Sequence, residues 1–83
     1  MKRSVCLGEM RRGQKGVVRE LLGGRGMTQR LAAIGIRPGQ EIVKTSGPFM
    51  RGPVTVRIGN AQMALGFGMA RRVIVEVEEV GEE

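Results

Sequence analysis

Residues 27–42 read MTQRLAAIGIRPGQEI, and this stretch decides the fold. Met27, Leu31 and Ile34 recur at helical spacing, so we expect one apolar stripe that faces a core. Thr28 is a residue type that caps a first turn by accepting a free backbone N–H. The stretch therefore opens with a short helix of about two turns, which is too short to be stable without a sheet to pack on.

The helix is followed by a stop and a turn. Gly35 is the residue type that ends helices in the left-handed conformation, and Ile36 continues the apolar stripe beyond it. The sequence Arg37-Pro38-Gly39-Gln40 has proline at i+1 and glycine at i+2, the pattern of a type II turn. We expect the chain to reverse here and to enter a strand at Glu41.

Turn-bounded segments elsewhere predict short strands. Val54, Val56 and Ile58 alternate with polar residues, and Gly59-Asn60 is a two-residue hairpin turn. Strands are expected at residues 17–22, 41–46, 54–58, 61–65 and 73–77, with a helical turn within 66–72. The fold class predicted is mainly β: a small closed or nearly closed barrel of about five strands, with one short helix between the first two. We assign Leu31, Ile34, Val54, Val56 and Val75 to its core.

The 83 residues predict a single domain, residues 1–83, with an N-terminal arm at 1–12 and an acidic tail at 78–83. Residues 1–75 hold all fourteen Lys and Arg against three Glu, a net charge of +11, and the last eight residues hold five Glu. Such a basic body favours an anionic partner, and a merely solvated face is the alternative. One cysteine, no signal-peptide pattern and no long apolar run favour a reducing cytoplasm without membrane insertion.

The residue inventory argues against an enzyme. The chain has no His and no Asp, so a Ser-His-Asp or Cys-His arrangement cannot be assembled. Cys6 and the dispersed Glu residues do not give convergent metal ligands, and we expect neither a metal nor a cofactor. Gly24-Arg25-Gly26 resembles half of a dinucleotide fingerprint, but a flexible link before the helix is the simpler interpretation.

Nucleic acid is a second candidate partner. Basic residues cluster around the first turn: Arg11, Arg12, Lys15 and Arg19. The run Gly13-Gln14-Lys15-Gly16-Val17-Val18 resembles the KOW element of RNA-associated barrels. Aromatic residues for base stacking are nearly absent, so an RNA-binding module would rely on phosphate contacts, which carry little sequence information.

Taken together, these segments resemble the FeoA family, the small cytosolic component of bacterial ferrous iron uptake. The matching residues are Leu7, 13–18 (GQKGVV), 30–39 (RLAAIGIRPG), 52–54 (GPV), 59–60 (GN), 63–66 (MALG), Ala70 and 73–75 (VIV). The resemblance implies an SH3-like barrel and a non-enzymatic partner of the membrane GTPase permease FeoB. Gly66-Phe67-Gly68 departs from the family pattern, which often has arginine here. Similar domains occur at the C-terminus of iron- and manganese-dependent repressors. Those repressors have a helix-turn-helix region, which this chain lacks.

Partner-binding residues are sought among apolar side chains held at turns. Phe49, Met50 and Phe67 meet this description, with Arg37 and Arg51 at a turn or beside them in sequence. The alternative is that Phe49 and Phe67 close the two ends of the barrel. A third hypothesis is self-association through exposed sheet edges.

Overall fold

A computed structural model describes residues 1–47 and 52–78 of the chain. Its elements follow in order as β1 Lys2–Cys6, a 3₁₀ turn Leu7–Glu9, β2 Lys15–Leu21, α1 Gly24–Ala33, β3 Glu41–Ser46, β4 Val54–Ile58, β5 Ala61–Leu65, α2 Phe67–Ala70 and β6 Val73–Glu78. The prediction of a mainly β fold with a helical turn before the last strand is confirmed. The helix expected between the first two strands lies between β2 and β3, because a further strand precedes them.

The strands form one antiparallel sheet in the order β1-β6-β2-β3-β4-β5. Alternate residues of each strand point into a single core, as Val73, Val75 and Val77 do on β6. Four of the five predicted core residues are fully buried there: Leu31, Val54, Val56 and Val75. The core also includes residues of the N-terminal segment, Val5, Leu7 and Met10.

The segment 1–12 is more structured than the arm expected from the sequence. Val5 pairs with Val75 of β6, so β1 extends the sheet by a sixth strand. Only Val5 is buried on β1, while Lys2, Arg3 and Ser4 are exposed. The polar–apolar alternation that identifies a half-buried strand is therefore absent from the sequence of β1, and the available edge of β6 determines its conformation.

The start of α1 differs from the prediction in two ways. The helix begins at Gly24, so the glycine-rich segment expected to be a link forms its first turn. The Thr28 hydroxyl does not cap the helix, because it donates a hydrogen bond of 2.9 Å to the Gly24 carbonyl one turn earlier. Thr28 therefore lies inside the helix, and its side chain is bonded locally in the way that serine and threonine often are.

The end of α1 explains the one core assignment that was wrong. The Gly35 N–H donates to the Ala32 carbonyl at 3.0 Å, and the Ile36 N–H donates to the Leu31 carbonyl at 2.9 Å. With Gly35 at a φ of 95°, this is a Schellman motif, which joins the residue after the glycine to the last turn of the helix. Leu31 and Ile36 are consequently both fully buried, whereas Ile34, the C-cap between them, is 39% exposed.

The predicted type II turn is confirmed and is tied to β2. The Gln40 N–H donates to the Arg37 carbonyl at 3.1 Å, and Gly39 has a φ of 92°. Gly39 and Gln40 also exchange backbone hydrogen bonds of 2.7 and 2.8 Å with Val18. The turn is thus held against the sheet, and the Arg37 side chain is exposed at its first position.

Candidate functional site

Of the five residues predicted to bind a partner, two lie in the part of the chain that the structure describes. These are Arg37 and Phe67, while Phe49, Met50 and Arg51 lie outside the described residues. Arg37 is exposed at the turn after α1, and Phe67 begins α2. The two side chains have different neighbours: the Arg37 turn is bonded to β2, whereas Phe67 packs on the N-terminal 3₁₀ turn.

Phe67 is half-buried against Gly8. A Cβ atom added to Gly8 would lie 2.9 Å from Cε1 of Phe67, so the ring fits only because residue 8 has no side chain. Ala70, one turn later on α2, is fully buried. This placement favours the second interpretation of Phe67, in which the ring closes one end of the barrel, although part of the ring stays accessible to a partner.

The only buried charged side chain among the described residues is Lys44, which is 1% exposed. Its ammonium donates a hydrogen bond of 2.6 Å to the Met10 carbonyl and a longer one of 3.4 Å to the Gly8 carbonyl. Desolvation by burial lowers the pKa of Lys44, and the nearby Cys6 thiol opposes this shift. Lys44 therefore ties β3 to the end of the 3₁₀ turn.

Lys44 is one of the fourteen Lys and Arg residues that make the body of the chain basic. The alternation of β3 could have predicted its burial. Lys44 lies two residues after the fully buried Ile42 and so points to the same face of the sheet. Lys44 is paired across strands with Val56, which is also fully buried. One of the fourteen positive charges thus has a structural role and is unavailable to an external anion.

Two cations of the first-turn cluster form ion pairs on the outer face of the sheet. The Lys15 ammonium lies 3.7 Å from a carboxylate oxygen of Glu41. The Arg19 guanidinium donates from Nε to Glu76 at 2.9 Å, and this bond lowers the pKa of the Glu76 carboxyl. A shallow depression beside them is lined by Gly13, Lys15, Glu41, Val43, Arg57 and Gly59. Its mixed charges partly cancel, which makes it a weak site for a phosphate group.

Residues 1–47 and 52–78 contain neither a cluster of metal ligands nor a membrane-spanning helix. No group of three or more His, Cys, Asp or Glu residues in these ranges is placed to hold a metal ion. None of the helices found there is both long and apolar enough to span a bilayer.

Comparison with known sequences gives one family. The model of the FeoA domain matches residues 5–77. The candidate Fe(2+) transport protein A of Methanocaldococcus jannaschii is 31% identical over 71 residues, which cover 86% of this chain and 84% of that relative. Both matches include the helix, the Schellman motif and the type II turn.

Solved structures agree in fold. The iron uptake regulatory protein FeoA has a TM-score of 0.79 at 37% identity, over 88% of this chain and 95% of its own. The zinc complex of Stenotrophomonas maltophilia FeoA, described as a prokaryotic SH3 domain protein, has a TM-score of 0.69 at 28% identity, over 86% of this chain and 88% of its own. A manganese-dependent transcriptional repressor shares the fold at 23% identity, with a TM-score of 0.82 over 94% of this chain and 44% of its own. The predicted SH3-like architecture is confirmed.

Proposed function

The chain belongs to the FeoA domain family, and on that basis we propose that it is a small, non-enzymatic accessory protein of ferrous iron uptake. In this proposal it acts at the cytoplasmic side of the membrane, where it binds the GTPase permease FeoB and modulates iron transport or GTP turnover. The protein itself holds no iron. The observation that carries the proposal is the family match, which runs from β1 to β6 rather than over one motif.

Two features of the molecule support a binding role. The residue inventory lacks His and Asp, which limits acid–base, nucleophilic and metal chemistry. The body of the chain is small and basic, with exposed arginines at its turns and helix. Such a surface suits recognition of an acidic protein surface through complementary charge.

The proposed contacts with the permease include the residues identified from the sequence. We propose Phe49, Met50 and Arg51 as one contact, and we add Arg37 and the accessible part of Phe67 to it. A Phe49→Ala, Met50→Ala double variant should bind the permease more weakly while remaining folded. Unchanged binding of the double variant would remove these residues from the proposal.

An RNA-binding module is the alternative that the basic charge favours. The ion pairs Lys15–Glu41 and Arg19–Glu76 count against it, because they occupy half of the cationic cluster around the first turn. RNA binding through phosphate contacts would lose orders of magnitude in affinity between about 50 and 200 mM salt if roughly six phosphates were neutralised.

The experiment that tests the proposed function is a titration of the full chain against the soluble GTPase portion of the permease. It is run at low and physiological salt, with and without an excess of structured RNA. Binding that survives physiological salt and RNA supports the accessory role. Retention of RNA alone, and only at low salt, would replace the permease by nucleic acid as the partner.

A further inference from the structure

An exposed aliphatic side chain lies between two arginines at the C-terminal end of α1. Ile34 is 39% exposed, although its spacing from Leu31 predicts burial. Arg30 lies one helical turn before Ile34, so the two side chains are neighbours on the helix surface. Arg37 follows three residues later at the exposed corner of the type II turn. We call Arg30, Ile34 and Arg37 the Ile34 surface.

The charge of this region has one sign. Residues 21–40 contain three arginines and no acidic residue. The guanidinium groups of Arg25, Arg30 and Arg37 form no ion pair or hydrogen bond with another residue of the ranges 1–47 and 52–78. The cations of the outer sheet face differ, since Lys15 and Arg19 are paired with carboxylates. The arginines of the Ile34 surface are therefore available to an external acid.

The backbone keeps Ile34 at this surface. The Schellman motif places Leu31 and Ile36 together in the core. Burial of Ile34 by rotation of the helix end would break the Gly35–Ala32 and Ile36–Leu31 backbone hydrogen bonds. A single exposed aliphatic residue is common on protein surfaces. Here it is held in a fixed position and flanked by arginines that have no ion pair or hydrogen bond within residues 1–47 and 52–78. A buried apolar anchor with a polar rim is the usual form of an interaction hot spot.

The chemistry of the surface favours a protein over a nucleic acid. An aliphatic side chain gains nothing from a phosphate backbone, and the Ile34 surface carries no aromatic ring on which a base could stack. A protein partner with carboxylates around a small apolar pocket could bind all three side chains, with the carboxylates paired to the arginines and Ile34 in the pocket. Charge complementarity would also accelerate its association at low salt.

We propose that the Ile34 surface is the docking site for an acidic segment of a protein partner, which inserts Ile34 into an apolar pocket and pairs its carboxylates with Arg30 and Arg37. This inference deepens the proposed function, because the partner it implies is an acidic surface on the cytosolic part of the permease. It adds Arg30 and Ile34 to the contacts derived from the sequence, and it retains Arg37.

Two pairs of variants of the full chain isolate the surface. Ile34→Gln is compared with Leu22→Gln, because Leu22 is an aliphatic residue of equal exposure, 40%, before the opposite end of α1. The Arg30→Glu, Arg37→Glu double variant is compared with Arg12→Glu, Arg57→Glu, which changes the net charge equally at exposed positions elsewhere. Far-ultraviolet circular dichroism and urea unfolding first establish that all four variants fold.

Binding to the soluble GTPase portion of the permease is the first readout. The surface variants should lose on the order of tenfold in affinity or more, whereas the matched controls should lose less than about threefold. If the wild-type chain binds and all four variants bind alike, the Ile34 surface is wrong while the proposed function stands.

A second probe tests the surface independently of the permease. It is a synthetic amphipathic helical peptide whose apolar stripe is flanked by glutamates, added to the ¹⁵N-labelled chain. Amide shifts centred on residues 30–37 that disappear in Ile34→Gln support the Ile34 surface, even if the permease portion does not bind and the proposed function fails. Absence of such shifts with the peptide, together with no effect of the surface variants on any permease binding, overturns the proposal.

Discussion

Lys44 and Ile34 both lie in environments that their side chains usually avoid, but only Lys44 has compensating partners within the described fold. Lys44 is a cation in the core at 1% exposure, and Ile34 is an aliphatic residue at the surface at 39% exposure. The ammonium of Lys44 has partners inside the fold, the Met10 and Gly8 carbonyls. Among the described residues, Ile34 is neither in the core nor among the partly buried apolar side chains that pack against it.

This difference suggests a structural role for Lys44 and an interaction role for Ile34. A buried charge is tolerated where hydrogen bonds compensate for its lost hydration, so Lys44 is explained within the chain. An apolar side chain that the backbone holds in solvent is not explained by the stability of the isolated domain. In the docking proposal this side chain serves a contact outside the chain, whereas Lys44 needs no such contact.

Replacement of apolar side chains of α1 by alanine should produce the largest effect on stability. It tests whether Ile34 lies outside the core. Leu31→Ala is expected to cost about 3 kcal/mol of unfolding free energy, because it removes a fully buried side chain and leaves a cavity. Ile34→Ala should cost less than about 1 kcal/mol, since its side chain is already partly hydrated. Urea unfolding of the two variants measures both values. Equal losses of unfolding free energy in the two variants would show that Ile34 belongs to the core, and the contrast between Lys44 and Ile34 would not hold.

Replacement of Lys44 should have the next largest effect. Lys44→Ala leaves the Met10 and Gly8 carbonyls without their donor and opens a cavity, so we expect a loss of about 2–3 kcal/mol. Lys44→Met fills most of the space and removes the charge that had to be dehydrated, so its loss should be smaller, about 1 kcal/mol. A negligible cost for both variants in urea unfolding would mean that the two carbonyl bonds do not stabilise the N-terminal segment.

Some elements of the fold could be predicted from the sequence and others could not. Spacing and turn chemistry were sufficient for β3 to β6 and for the turn at Gly39, because each signal is local. The strand β1 could not be predicted, since its conformation comes from pairing with β6 and not from its own alternation. Ile34 was misassigned because helical periodicity continues through residue 34, whereas the Schellman motif changes the chain direction at Gly35 and gives the buried position to Ile36.

The candidate site was less predictable than the fold. Lys44 follows the alternation of β3 and could have been placed inward, but a lysine is almost never fully buried unless it is paired, and its carbonyl partners come from a distant segment. The partner-binding role of Phe49, Met50 and Arg51 stays a prediction. Phe67 was identified as either a partner contact or a side chain closing the barrel, and its packing on Gly8 was not visible in the sequence.

Gly8→Ala tests the packing of Phe67 and should have a moderate effect. The added methyl group would lie 2.9 Å from Cε1 of Phe67, so the ring must shift, at a cost of about 1 kcal/mol. The same substitution in a Phe67→Leu background should cost less, and the difference in urea unfolding gives the coupling energy of the pair. Additive losses would show that Phe67 does not rest on Gly8, which would free the ring for the partner surface.

The smallest effect concerns the pH dependence that Lys44 gives to stability. Burial lowers the pKa of Lys44 in the folded chain below its usual value of 10.5. Between the folded and unfolded values the unfolded chain binds more protons, so the unfolding free energy should rise with pH through the window that ends near 10.5. This gain is lost again as the pH falls through the folded value.

Lys44→Met should lack this alkaline gain, whereas Ile34→Gln should keep it, because no titrating group is altered at the Ile34 surface. Urea unfolding from pH 8 to about 10.5 measures the slopes of the three proteins. Each is studied with Cys6→Ser, because the Coulombic interaction with Cys6 raises the pKa of Lys44 and so opposes the effect being measured. If wild type and Lys44→Met have the same slope, the ammonium is hydrated in solution, and the explanation of Lys44 as an internally compensated charge fails.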